Sequence, residues 1–352
     1  MARLDFGVND AQTVKLWSPV MMRETLKKTF FYKFLGKAGD KRAIIVRVTD
    51  LESTRGDTIK YDLLKQAVGA GVTGDNRMKG NEEAMVYEQD SVVVEQLRNA
   101  HSFTNMTQQR TVHELRMDAM ENLSDWFAGK YDDYMFRYLC GDTTVSHGQT
   151  GTAPDSDHII YSGDATSDAT ITSNCQVTLS DIDFSREKAK TLENPIKPVM
   201  IEGEEYYVVV VHSYSETDLR IDAAGSAYIS WPQIQMYAND RGLKNNLFSG
   251  GLGVYNKCIL YESSRIYSPY TSVRRNLFLG SQAGVFAMAN AYKGTAQKKA
   301  GDKNLFSWFE DTDDYGNEQG IASGSVFGMK KTTFDSADFA VIAIDSYSVA
   351  HS

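Results

Sequence analysis

Cysteine is scarce: the 352-residue chain carries only Cys140, Cys175 and Cys258. An odd number, so widely spaced, excludes a disulfide framework and points to reduced thiols in a cytosol-like compartment. Positive charge is also short. Lys and Arg number 37 against 46 Asp and Glu, a formal net charge of −9, which argues against wrapping nucleic acid through a basic surface, because affinity there comes from neutralising phosphates. Long apolar runs are missing. The densest, Tyr206-Tyr207-Val208-Val209-Val210-Val211, falls far below the ~20 residues of a membrane helix and reads as a buried strand. The opening Met1-Ala2-Arg3-Leu4-Asp5-Phe6-Gly7 puts charges where a secretion signal needs an apolar core, so secretion is not expected. Neither an internal repeat nor a heptad array is visible.

What is present is ordinary globular material, 42% hydrophobic and 24% charged, enough for a sizeable core. Single cores rarely grow beyond about 250–300 residues, so one body with subdomains and extended arms is expected. Residues 1–43 mix polar residues with the cluster Phe30-Phe31-Tyr32-Lys33-Phe34, which suits either a short helix on the chain's own core or an arm binding a neighbour. Residues 44–100 begin and end as strands, Ile44–Val48 and Ser91–Val94. Between them lie Gly56, Gly69, Gly71, Gly74 and Gly80 among Arg55, Asp57, Lys60, Arg77, Lys79, Glu82 and Glu83, too polar to bury a core. So long a polar hairpin reads as a projecting arm that docks on a partner, or as a surface loop.

From Thr107 to Leu139, apolar residues recur every three to four positions (Val112, Leu115, Ala119, Leu123, Phe127, Tyr131, Tyr134, Tyr138), which predicts a spine helix approaching about 50 Å, with Thr111 and Glu114 as a capping box. Residues 141–175 are rich in Gly, Ser, Thr and Asp and read as an irregular insertion. Ser180 and Asp183 open a helix ended by Asn194-Pro195. Strands are expected at 199–201, 206–211, 254–261 and 339–344, and a helix after Ser230-Trp231-Pro232.

No catalytic or metal constellation emerges, and no cofactor is expected. Asp311-Thr312-Asp313-Asp314-Tyr315-Gly316 superficially resembles a calcium loop, but Tyr315 and Ala322 stand where ligands belong, so a solvated acidic turn is the better reading. Gly251-Leu252-Gly253 lacks the third glycine of a dinucleotide loop, Asn256 standing there. The six histidines (His101, His113, His147, His158, His212 and His351) show no ligand spacing. His212, after the apolar strand, reads as a hydrogen-bonded structural residue ahead of a general base. An α/β enzyme with a dispersed site stays open on these residues.

Local motifs narrow the choice. Arg55-Gly56-Asp57-Thr58-Ile59, Gly71-Val72-Thr73-Gly74-Asp75, Gly80-Asn81-Glu82-Glu83 and Gln108-Gln109-Arg110-Thr111 are followed in order by Tyr206 to His212, Asp218-Leu219-Arg220, Leu279-Gly280-Ser281-Gln282-Ala283, Asp314-Tyr315-Gly316-Asn317 and Gly328-Met329-Lys330-Lys331-Thr332-Thr333-Phe334. This ordered set resembles the major capsid family of N-four-like tailed phages, with an α+β fold of the Hong Kong 97 type. Ser213 and Ala340 depart from it, where the family often has proline and glycine. The resemblance implies an N-terminal arm (1–43), an extended loop (44–100), a peripheral domain (101–180, with the spine helix 107–139 and the insertion 141–175), an axial domain (181–320) and a return to the peripheral domain (321–352). It further implies a non-enzymatic subunit that assembles with copies of itself into hexamers and pentamers, in the host cytoplasm and then the virion. The shell would enclose double-stranded DNA without specific binding and meet scaffolding, portal and decoration proteins but no membrane. Candidate inter-subunit contacts are Arg55, Asp57, Lys60, Arg77, Lys79, Glu82, Glu83, Phe30 and Phe31. A bacterial nanocompartment shell, which shares the fold type, is the other structural reading.

Overall fold

A computed structural model describes residues 21–351 apart from 22–23, 39, 41, 53–55, 65–68, 70, 86, 202, 223–251, 291–304 and 335–336. The helix expected after Pro232 lies outside the described residues. The spine helix runs from Leu115 to Leu139, 25 residues or about 37 Å at ~1.5 Å per residue. Its apolar face buries Leu123, Phe127, Tyr131, Met135 and Phe136 against the long strand Glu318–Lys331, where the Tyr131 hydroxyl bonds Ser325 Oγ at 2.7 Å.

The continuous helix predicted from 107 is not realised. Asn105–Arg110 forms a separate short helix, Thr111 is extended (φ −94°, ψ 147°), and Val112 is 100% exposed. A hydroxyl bond stands on each side of the break. Thr104 Oγ1 caps the short helix by accepting the Thr107 amide, and past its end Thr111 Oγ1 accepts the His113 amide, both at 3.3 Å, the second a local bond that competes with the helical ladder. The anticipated capping box does not form, since Glu114 occupies the cap without a side-chain bond.

One mixed sheet is centred on Glu318–Lys331. One flank pairs antiparallel with Glu95–Thr104, and the other is shared end to end by Phe306–Asp313 and Gly284–Ala289. Ile45–Val48 then adds parallel to Gly284–Ala289, and Leu35–Ala38 to Ile45–Val48. Phe306–Asp313 turns into Glu318 through Asp314 and Tyr315, both left-handed (φ 49° and 52°). Of the acidic run, Asp311–Asp313 is the exposed end of that strand and Asp314–Gly316 the exposed turn after it.

The second sheet follows the order Gly253–Tyr255, Cys258–Glu262, Glu204–Val211, Val273–Leu279, Val341–Tyr347, Ile159–Tyr161, with Val199–Ile201 beside Glu204–Val211. The run read as one strand over 254–261 is therefore two, joined through Asn256 and Lys257. Residues 206–211 are buried throughout, as an unbroken apolar run requires. Strands 284–289 and 306–331 belong with the spine helix, whereas 341–347 belongs to the second sheet. The boundary expected at residue 320 therefore does not coincide with the division between sheets.

Segment 141–175 is less loose than its composition suggests. Ile159–Tyr161 extends the second sheet in parallel, the Cys175 carbonyl accepts the Tyr347 amide at 2.8 Å, and Asp168 reaches the buried Arg275. That guanidinium donates to both Asp345 oxygens (2.8 and 2.7 Å), to Asp168 Oδ2 (2.8 Å) and to the Cys140 carbonyl (3.1 Å).

The start of the described chain is tied to the spine by Asp132, whose carboxylate accepts the Phe30 and Phe31 amides at 2.9 and 3.3 Å. Burial pushes this acid up to about 6, the two amides opposing without prevailing. The folded protein therefore holds a proton that the unfolded chain releases near its ordinary value of 3.8, and this contribution to stability falls as pH rises from about 4 to about 6. Asp132→Asn removes the titration and keeps an acceptor for only one of the two amides, its NH2 meeting the other. Thermal melts across that window should show a flatter pH dependence for the variant, whatever its stability at one pH; an unchanged slope would contradict the assignment.

Candidate assembly surface

The projecting arm is an antiparallel hairpin, Thr58–Leu64 with Tyr87–Val93, joined in seven registered pairs from Thr58 opposite Val93 to Leu64 opposite Tyr87. The structure narrows it from the expected 44–100, because Ile45–Val48 is a strand of the body sheet and Glu95–Thr104 flanks Glu318–Lys331. Its root is packed. Ile59 and Val92 are buried with Leu51, Val94, Val285, Ala287 and Ala289 in a small core of their own. Tyr61 donates to Asp90 Oδ2 at 2.6 Å, and Asp90 also pairs with Lys330 of the body. Gly328 permits the approach, since a Cβ there would collide with the Val93 carbonyl.

Beyond the root the chain gives its side chains to solvent. Residues 73–85 are exposed throughout, and the far turn is closed by the Asn81 amide on the Met78 carbonyl at 2.9 Å, with Gly80 at φ 98°. Glu82 accepts the Gly80 amide at 2.7 Å; its own amide and that of Gly80 hold the carboxyl below the usual carboxylate range. Glu83 accepts the Gly69 amide at 2.9 Å. Of the predicted contacts, Asp57, Lys60, Arg77, Lys79, Glu82 and Glu83 all lie exposed along this one element, and Arg55 lies outside the described residues. Phe30 and Phe31 stand elsewhere. Both rings pack on Phe136, at 5.5 and 4.5 Å between centroids, so the aromatic cluster is taken up by the subunit's own core, and Phe31 is buried.

Sequence reading missed Tyr61, Asp90 and Lys330, which join the arm to the body across some 240 positions. The apolar run Ser91–Val94 marked Val92 as a strand residue, but nothing local told that Asp90 beside it would meet Lys330.

The chemistry of the remaining polar groups is structural. His212 is buried, and its Nδ1 accepts the Tyr214 amide at 3.1 Å, so it caps the helix Ser213–Asp222. Burial, helped by Arg274, lowers its pKa. His147 stacks on Tyr134 at 4.9 Å. Burial pushes the Cys140 and Cys258 thiols up to about 12, far from thiolate reactivity. Among the described residues no group of three or more His, Cys, Asp or Glu is placed to hold a metal ion, and no helix is long and apolar enough to cross a membrane.

Comparison with known proteins agrees with a structural rather than a chemical site. The chain is 24% identical over 371 residues to the major capsid protein of Pseudomonas phage KPP25, covering 96% of this chain and 95% of that protein. Its fold superposes on the capsid of Ralstonia phage GP4 with a TM-score of 0.80 and 28% identity, over 99% of this chain and 94% of that one. The Cyanophage Pam1 capsid gives 0.68 at 18% identity, covering 92% and 93%. The capsid of Helicobacter pylori bacteriophage KHP30 gives 0.62 at 14%, covering 91% of each chain. The family model described as phage capsid protein matches residues 5–350, so this chain belongs to the phage capsid protein family.

Proposed function

We propose that this chain is the major capsid protein of a tailed phage, a subunit that assembles with copies of itself into hexamers and pentamers of an icosahedral shell around double-stranded DNA. The observation that carries the reading is a whole-chain capsid match joined to a hairpin that is packed at its root and exposed, with charges of both signs, at its tip. A root packed into the body with a tip that buries nothing of its own is the form of an arm whose partner lies in another molecule.

In Hong Kong 97-type terms, the hairpin 58–93 is the extended loop, the spine helix with its sheet the peripheral domain, and the second sheet the axial domain. The residues before about 43 form the N-terminal arm, assembly takes place in the host cytoplasm, and scaffolding, portal and decoration proteins are further partners. The charges of both signs along the loop set register between subunits by complementary pairing. A net charge of −9 suits a container that must release the polyanion it holds.

Expression of the chain followed by negative-stain microscopy and sedimentation tests this directly. Shells or capsomers are expected; a stable monomer at every concentration and salt tried would refute the reading.

A further inference from the structure

The hairpin tip of the capsid reading needs a seat on a neighbouring copy, and the sheet face turned away from the spine helix has the features of one. Along that face the central strand presents Gly320, Ala322 and Gly324. Register places Arg98 beside Gly324 on one wall, and Phe309 and Asp311 beside Ala322 and Gly320 on the other. The result is a trough of about 640 Å³, with Phe309 39% exposed.

Its glycines differ in meaning. A Cβ at Gly324 would meet Arg98 Cγ at 2.8 Å and the Ser307 hydroxyl at 2.9 Å, so the fold itself demands that glycine. Gly320 has no such reason: the nearest atom to a Cβ there is the Asp311 carbonyl oxygen at 3.8 Å. Glycine weakens a strand interior, and where internal packing does not require it, it suits the close approach of another backbone. Arg98 and Asp311 are both exposed, and neither forms an ion pair with another described residue.

The tip is complementary in form and charge. The turn closed between Met78 and Asn81 has a basic limb, Arg77 and Lys79, and an acidic limb, Glu82 and Glu83, with Met78 60% exposed at its corner. The two outer strands of the trough stand two strand spacings apart, about 10 Å, which leaves room for a turn whose limbs are about 5 Å apart. We propose that the tip turn of one copy seats in this trough on a second copy, basic limb toward Asp311, acidic limb toward Arg98, and Met78 on the Phe309 ring. The proposal rests on the capsid reading, and adds the receptor face and the pairing.

Charge reversal on each side tests it. Arg98→Glu with Asp311→Lys should lower the assembled fraction about tenfold or more by setting like charges together, and so should Arg77→Glu, Lys79→Glu, Glu82→Lys and Glu83→Lys together. Combining both sets should restore assembly to within about twofold, with every subunit melting within a few degrees of the wild type, since all six side chains are exposed and only the solvent-side bonds of Glu82 and Glu83 to the Gly80 and Gly69 amides are given up. In parallel, Met78→Cys with Phe309→Cys should give intermolecular disulfide ladders in oxidised shells, against a low background because the three native cysteines are buried. Wild-type yield from the Arg98/Asp311 reversal, no restoration in the combined variant, or shells without the ladder would each overturn the proposal. A wild-type chain that forms no shells would instead overturn the capsid reading beneath it.

Discussion

A chain in which Asn-Gly replaces residues 65–86 is expected to fold, stay soluble and close no shells. Leu64 and Tyr87 are a registered pair, so a two-residue turn joins them with the geometry a hairpin prefers. Everything that anchors the root remains: Ile59 and Val92 in their small core, Tyr61 on Asp90, and Asp90 on Lys330. Among the described residues lost, 69, 71 and 73–85 are exposed, so the subunit's melting temperature should move by no more than about 2–4 °C. Assembly should suffer far more, because each subunit in a closed shell makes the same contact and a small loss per contact is multiplied around the particle. Electron microscopy and sedimentation at matched concentration provide the measurement. Closed shells at wild-type yield would show that the tip has no part in holding neighbours.

Arg275→Ala should be the most destabilising single substitution considered. It leaves Asp345 buried, beside the part-exposed Asp168, without their shared cation, and breaking a buried pair in this way costs about 3–5 kcal/mol. Burial already pushes Asp345 up to about 7, with the neighbouring Asp168 adding to the rise and Arg275 opposing it. The folded state therefore binds a proton that the unfolded chain releases near 3.8, and this group's contribution to stability falls as pH rises through about 4 to 7. Without the guanidinium the folded-state value rises further. The deficit of the variant should be larger at about pH 8 than at about pH 5, where Asp345 is protonated in the folded protein. Urea denaturation at both values reads this out; equal deficits would mean that Arg275 contributes packing rather than charge. Because Arg275 is the cation that holds Asp168 among the described residues, segment 141–175 should also become more open to proteolysis in the variant.

Much of this was legible in the chain itself. An apolar period of three to four marks the spine helix from Leu115 onward, a solid apolar run marks the strand ending at Val211, and glycines among charges mark the hairpin as an arm. Those signals are local, and so are the elements they describe. The break at Thr111 escaped because the Thr111 hydroxyl bonds the backbone amide two residues on, in a stretch whose periodicity continues unbroken. Phe30 and Phe31 looked equally suited to a neighbour or to the chain's own core, and only the fold shows Phe136 already against them. Arg98 carried no signal, and Asp311 stood out only as part of an acidic turn. Each is a charged residue on the solvent side of a strand, and nothing nearby in sequence says that the two walls face each other across Gly320.

The sequence by itself therefore determined the kind of protein: acidic, poor in cysteine, built on one long helix and buried strands, with a charged arm that buries nothing of its own. Its ordered motifs went further and resembled a shell subunit, and the family match agrees. Tertiary structure alone decided where the helix starts, which strands share a sheet, and where the hairpin is pinned. Amphipathic period and turn chemistry act over a few residues and are written in the order of the chain. The register of Ile45–Val48 on Gly284–Ala289, or of Asp90 on Lys330, is set by contacts between segments more than two hundred residues apart, which no local pattern encodes.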